Sequence, residues 1–118
     1  MEAKDAIKLL DHGTYYGMVF DCAKNRNNFS FDEMNEHLEF TIKNSDTVSV
    51  IASKDIPADV REVMRDNLEA TFRPAAGGKV DCYEEILEFC DADDTAYIVC
   101  TEGNETLYLM TWLSMEEV

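Results

Sequence analysis

The chain has 118 residues, 46% of them hydrophobic and 30% charged, and 25 acids against ten bases give a net charge of −15. This length and composition fit one folded domain with a single core, and they exclude both a disordered polar chain and a two-domain protein. The charge excludes direct binding to nucleic acid, which needs a basic footprint, and it repels acidic membranes.

The charge is also local. After Lys79 there is no lysine or arginine, yet the last 39 residues hold eleven acids; the first 79 hold fourteen acids and all ten bases, so −11 of the −15 lies in the final third. A halophilic adaptation would spread its acids over the whole surface. Met1 to Lys8 mixes acids and lysines where an export signal needs an unbroken apolar stretch, and no later run is long enough to cross a membrane. A cytoplasmic location is expected.

In chain order, Ala3, Ala6, Ile7 and Leu10 recur at helical spacing with Gly13 as a stop, which predicts a helix over residues 2–11. Thr14 to Cys22 is apolar on both alternating faces, as an interior strand is. Lys24 to Asn28, with three asparagines and two bases, predicts a mobile surface loop. Residues 29–43 fit two periods. Ser30 and Glu33 make a capping-box pattern with Phe31, Met34, Leu38 and Ile42 along one helical face, whereas Leu38, Phe40 and Ile42 also alternate with polar neighbours. The favoured expectation is a helical turn near residues 31–36, then a strand that pairs through Asn44-Ser45-Asp46 with the β-branched Thr47 to Ser53 as a hairpin.

Further on, Ile56, Val60, Val63, Met64 and Leu68 form an apolar stripe beside Pro57, which predicts a core-packing helix over 56–72. Pro74, Gly77 and Gly78 break the chain between Arg73 and Lys79, and the bases there, with Arg61 and Arg65, are expected to face the acidic helix that follows. That helix is predicted over 81–91, with Asp81 as N-cap and Glu84 in capping-box relation to it. At helical spacing Asp81, Glu84, Glu85, Glu88 and Asp91 share one face, a row about 15 Å long. Cys82, Tyr83, Ile86, Leu87, Phe89 and Cys90 cover the other. Finally, Gly103-Asn104 predicts a tight hairpin within residues 95–113 that sets Cys100 opposite Leu107 and Ile98 opposite Leu109. Val99, Tyr108, Tyr97, Met110 and Trp112 occupy its second face, so burial under helices on both sides is expected. The whole chain, 1–118, thus predicts a single α+β domain: a mostly antiparallel sheet with a C-terminal hairpin, packed with two or three helices.

No pattern in the chain points to catalysis, a cofactor or a metal. Cys22, Cys82, Cys90, Cys100, His12 and His37 are scattered where zinc sites use close pairs, and Cys82 and Cys90 on one helix would stand about 12 Å apart. Asp91-Ala92-Asp93 with Glu102 echoes a calcium loop but puts Ala96 where glycine is required. Nucleophile elbows, phosphate loops and dinucleotide fingerprints are missing. The expectation is therefore a non-enzymatic acidic inhibitor or binding protein aimed at a basic nucleic-acid-binding partner such as a nuclease. Its carboxylates Asp81, Glu84, Glu85, Glu88 and Asp91, with Asp93 and Asp94 beyond, would imitate phosphates at about 5–6 Å spacing. Tyr97, Tyr108 and Trp112 are the candidate apolar anchors wherever they are exposed. In size, charge and lack of catalytic motifs this resembles anti-CRISPR and anti-restriction inhibitors, an analogy of general character only. Two alternatives are an immunity protein that neutralises a basic nuclease toxin, and a small-molecule-binding protein or small enzyme with a tyrosine-lined pocket. A two-sided apolar hairpin is also compatible with a homodimer.

Overall fold

Strands that are apolar on both faces need cover on both sides, and helices supply it. The computed structural model of the protein describes residues 1–10, 18–24, 26–28, 34–72 and 80–114. Its elements run α1 (Ala3–Leu9), β1 (Met18–Asp21), β2 (Arg26–Asn28), α2 (Met34–Lys43), β3 (Thr47–Ala52), a 3-10 turn (Ser53–Asp55), and α3 (Ala58–Asn67), which continues as a π turn (Leu68–Phe72). Then come α4 (Val80–Asp91), β4 (Ala96–Glu102) and β5 (Glu105–Met110). The five strands form one sheet in the order β2-β1-β5-β4-β3, every neighbouring pair antiparallel. The fold is α+β.

Strand alternation sorts the side chains into two cores. Met18, Phe20, Tyr97, Tyr108 and Met110 meet Met64 and Leu68 from the α3 segment and Tyr83, Ile86 and Phe89 from α4. On the opposite face Val19, Ile98, Cys100 and Leu109 meet Ala6, Leu10, Leu38 and Ile42 from α1 and α2. Each face is thus closed by its own helix pair. The β4–β5 hairpin fixes the register of the centre: Gly103 takes φ 61°, and Ile98↔Leu109 and Cys100↔Leu107 pair as the two-residue turn predicts.

Two expected segments differ. Residues 38–43 do not form a strand: Leu38 and Ile42, four apart, are fully buried, while Phe40 is 66% exposed, and β3 pairs with β4 instead. The helix is closed by local bonds in which the Thr41 hydroxyl donates to the His37 carbonyl and the Asn44 amide to that of Phe40. Nor do residues 24–28 form a loop throughout, because Arg26–Asn28 pair with β1 as an edge strand. A polar sequence is tolerated there because an edge needs a backbone ladder more than an apolar face. The reversal into it is made by the buried Asp21 carboxylate, which accepts the N–H groups of Ala23 at 2.9 Å and Lys24 at 3.3 Å. The helix predicted over 56–72 is present from Ala58 as α3 continued by the π turn, with Pro57 just before the first turn of α3. The start of the predicted strand at Thr14, the Ser30 and Glu33 box, and the Arg73 to Lys79 loop lie outside the described residues.

Candidate functional site

The acidic row grows out of the packing of α4. Tyr83, Ile86, Phe89 and Cys90 are buried, which leaves Glu84, Glu85 and Glu88 on the exposed side. The described helix includes Val80, so Asp81 sits inside its first turn and not at the cap; the Asp81 side chain lies outside the described residues. Beside α4 runs α3, whose buried Met64 turns Asp59, Glu62, Asp66 and, in the π turn, Glu69 outward. Sequence reasoning missed these four as site residues. They are the polar complement of the stripe that includes Val60, Val63 and Met64, so the signal was present.

Charge is unevenly divided between the two helix layers. Residues 58–72 and 80–94, the α3/α4 layer with its turns, carry eleven acids and two arginines, a balance of −9. Residues 2–10 and 34–46, the α1 and α2 layer with its turns, carry five acids and three lysines, a balance of −2.

The two arginines are committed to internal work. Arg61 reaches from α3 to the end of α4, where Nη1 donates to Asp93 Oδ1 at 2.9 Å and Nη2 to the carbonyls of Cys90, Asp91 and Ala92 at 3.2, 3.3 and 3.2 Å. These carbonyls lack intrahelical partners, and a cation there also meets the negative end of the helix dipole. Arg65 donates from Nε to Asp91 at 3.0 Å and from Nη1 to Glu69 at 3.3 Å. The hydrogen bond that Arg61 donates to Asp93 raises the Arg61 pKa above its ordinary value, and the charge of Asp91 does the same for Arg65. The expected facing of Arg61 and Arg65 toward the acidic helix is thus observed. Asp93 is paired with Arg61, and Asp91 and Glu69 share Arg65. Among the described residues, Glu84, Glu85, Glu88, Asp94, Asp59, Glu62 and Asp66 have no cation in ion-pair contact.

The aromatic anchors need correction. Tyr97 is fully buried and stacks on Phe89 with ring centroids 5.2 Å apart, and Tyr108 is buried as well. Both serve the core, because β4 and β5 lie at the centre of the sheet with α4 packed over β5. Neither is available to a partner. Trp112 is half-buried, tilted against Phe89 at 5.2 Å.

A cleft of about 450 Å³ opens beside the arginines, lined by Lys54, Ile56, Ala58, Arg61, Glu62, Arg65, Cys90 and Asp91. Burial pushes the Cys90 thiol up to about 11, which favours the neutral thiol at neutral pH. The Tyr97 hydroxyl beside it is likewise pushed up by burial. A second cleft of about 210 Å³ is bounded by Phe89, Asp94, Thr95, Ala96, Trp112 and Leu113. Among the described residues no group of three or more His, Cys, Asp and Glu is arranged to hold a metal ion, and no helix is long and apolar enough to cross a membrane. In comparisons with known proteins, no family model matches the chain, and no curated protein and no solved structure gives a significant match.

Proposed function

We propose that the protein is a non-enzymatic acidic binding protein that docks its α3/α4 layer onto the basic, nucleic-acid-binding surface of a partner, such as a nuclease effector, and so inhibits it. The observation that carries this reading is the division of charge, −9 on one helix layer against −2 on the other. A one-signed plate on one side of a domain steers oppositely charged surfaces and orients the encounter, which a uniform surplus does not. Glu84, Glu85 and Glu88 on α4, with Glu62 and Asp66 on α3, surrender no internal ion pair when a basic surface arrives. Helical residues three or four apart, such as Glu84 and Glu88, have Cβ atoms about 5–6 Å apart, which spaces their charges regularly along the layer. The cytoplasm is the proposed setting, where the buried thiols of Cys90 and Cys100 stay reduced.

The experiment is competition. Immobilised protein captures its partner from lysate at low salt, and duplex nucleic acid is then titrated in. The reading expects capture to fall as salt rises and the captured protein to be released by nucleic acid. A captured partner that binds nucleic acid and this protein at the same time contradicts the docking mode.

A further inference from the structure

The smaller cleft, about 210 Å³, lies where the turn after α4 meets the chain that leaves β5. Phe89, Trp112 and Leu113 give it an apolar lining, and Asp94 adds a single carboxylate. Those two features together select a ligand class. An anion is repelled by Asp94, and a neutral ligand would take water from that carboxylate without replacing it. An organic cation satisfies both: its charge meets the carboxylate, and its face meets the indole, the ring with the strongest pull on cations.

Both walls are fixed before any ligand arrives. Phe89 stacks on the buried Tyr97 at 5.2 Å and 19°, and Trp112 leans on Phe89 at 5.2 Å and 48°. Just beyond Trp112 the backbone is tied to the end of α1, where Leu113 bridges to Leu10 and the Ser114 N–H donates to the Leu9 carbonyl at 2.6 Å. The turn opposite is held by Thr95, whose carbonyl accepts the Ser53 N–H at 2.9 Å and whose hydroxyl donates to the Phe89 carbonyl at 3.5 Å. A site with fixed walls gives up little conformational freedom on binding.

No charge of the protein answers Asp94. The neighbouring Asp93 is taken by Arg61, whereas Asp94 is exposed and has no cation in ion-pair contact among the described residues. We infer that the cleft receives one arginine side chain of the basic partner, its guanidinium stacked on Trp112 and donating to the Asp94 carboxylate. Arginine fits better than lysine because its planar fork stacks flat on a ring and pairs with a carboxylate through two N–H groups. The lysine ammonium is a compact, strongly hydrated point charge that gains less beside apolar walls. The acidic layer then supplies the long-range attraction and the cleft a short-range anchor. That the arginine belongs to the docking partner rests on the function proposed above; the preference of the cleft for a guanidinium does not.

Trp112 is the only tryptophan in the chain, so its emission reads the cleft directly. The isolated protein is titrated at constant ionic strength with N-acetylarginine amide, with its neutral isostere N-acetylcitrulline amide, and with N-acetyllysine amide. The arginine compound should give a saturable change with a dissociation constant on the order of 1 mM, the range open to so small a ligand. The lysine compound should bind more weakly and the citrulline compound not at all. Asp94→Asn, on an exposed side chain that leaves the circular dichroism spectrum unchanged, should weaken the arginine compound about three- to fivefold. Glu36→Gln on α2 removes the same charge elsewhere and should leave it as it was. An absent response to arginine, an equal response to citrulline or lysine, or equal effects of the two substitutions overturns the inference. Since no partner is present, any of these results leaves the docking of the acidic layer to its own competition experiment.

Discussion

The two helix layers have the same structural task and opposite surfaces. Each closes one face of the sheet with fully buried side chains, Ile86 and Met64 on one side, Leu38 and Ile42 on the other. Yet residues 58–72 and 80–94 carry −9 and residues 2–10 and 34–46 carry −2. Burial accounts for both cores, but stability does not call for eleven acids on one plate, whose repulsion opposes folding. The excess is the part of the molecule that the proposed binding function would use.

The largest effects should ignore the difference. Ile86→Ala and Leu38→Ala each delete a fully buried side chain, and denaturant unfolding should show a loss of about 3 kcal/mol for both. A large inequality would mean that one layer is not an equal partner in the core. Next comes a test that separates the layers. Arg61→Ala removes the cap on the last carbonyls of α4 and the partner of Asp93, at a cost of about 2 kcal/mol, whereas Lys8→Ala at the end of α1 should stay within about 0.5 kcal/mol.

Alkaline pH probes the core beneath the acidic layer. The folded state holds the Cys90 thiol neutral up to about 11 where the free thiol ionises near 9.0. The unfolded chain therefore releases its proton first. Stability is complete below pH 9 and falls as the pH rises through that interval, by on the order of 1–2 kcal/mol. Cys90→Ala should remove its own share of the decline measured by thermal unfolding at stepped pH and leave the share of Cys22, Cys100, Tyr97 and Tyr108, which burial also pushes up. The smallest effect is electrostatic: raising salt should stabilise the wild type by less than about 1 kcal/mol, and Glu84→Gln with Glu85→Gln and Glu88→Gln should remove part of that gain.

Much of this asymmetry was legible in the sequence where two signals agreed. For β4 and β5, the turn residue Gly103 and a clean alternation pointed to one register. For α4, the apolar and acidic faces separated at a single period. Leu38, Phe40 and Ile42 failed because a spacing of two and a spacing of four fit the same residues. The exposure of Phe40 decides between them, and exposure depends on β3 pairing with β4, a contact about fifty residues away in sequence. The polar run Arg26–Asn28 hid an edge strand for a related reason: its backbone pairing is with the apolar β1, a partner its own residue types do not announce. Within the site, the exposed Glu84, Glu85 and Glu88 could be placed from the sequence. The burial of Tyr97 and Tyr108, and the capture of Asp91 and Asp93 by arginines from α3, required the packing of α3 against α4.

The central claim is that position, not net charge, makes the acidic layer a binding surface. Two variants of similar exposure test it directly: Glu84→Gln with Glu88→Gln on α4, and Asp5→Asn with Glu36→Gln on α1 and α2, which remove equal charge from opposite faces. Measured by titration against the captured partner at one salt concentration, the α4 pair should weaken binding about tenfold and the opposite pair hardly at all. Equal losses in both variants, or no loss in either, would contradict the account.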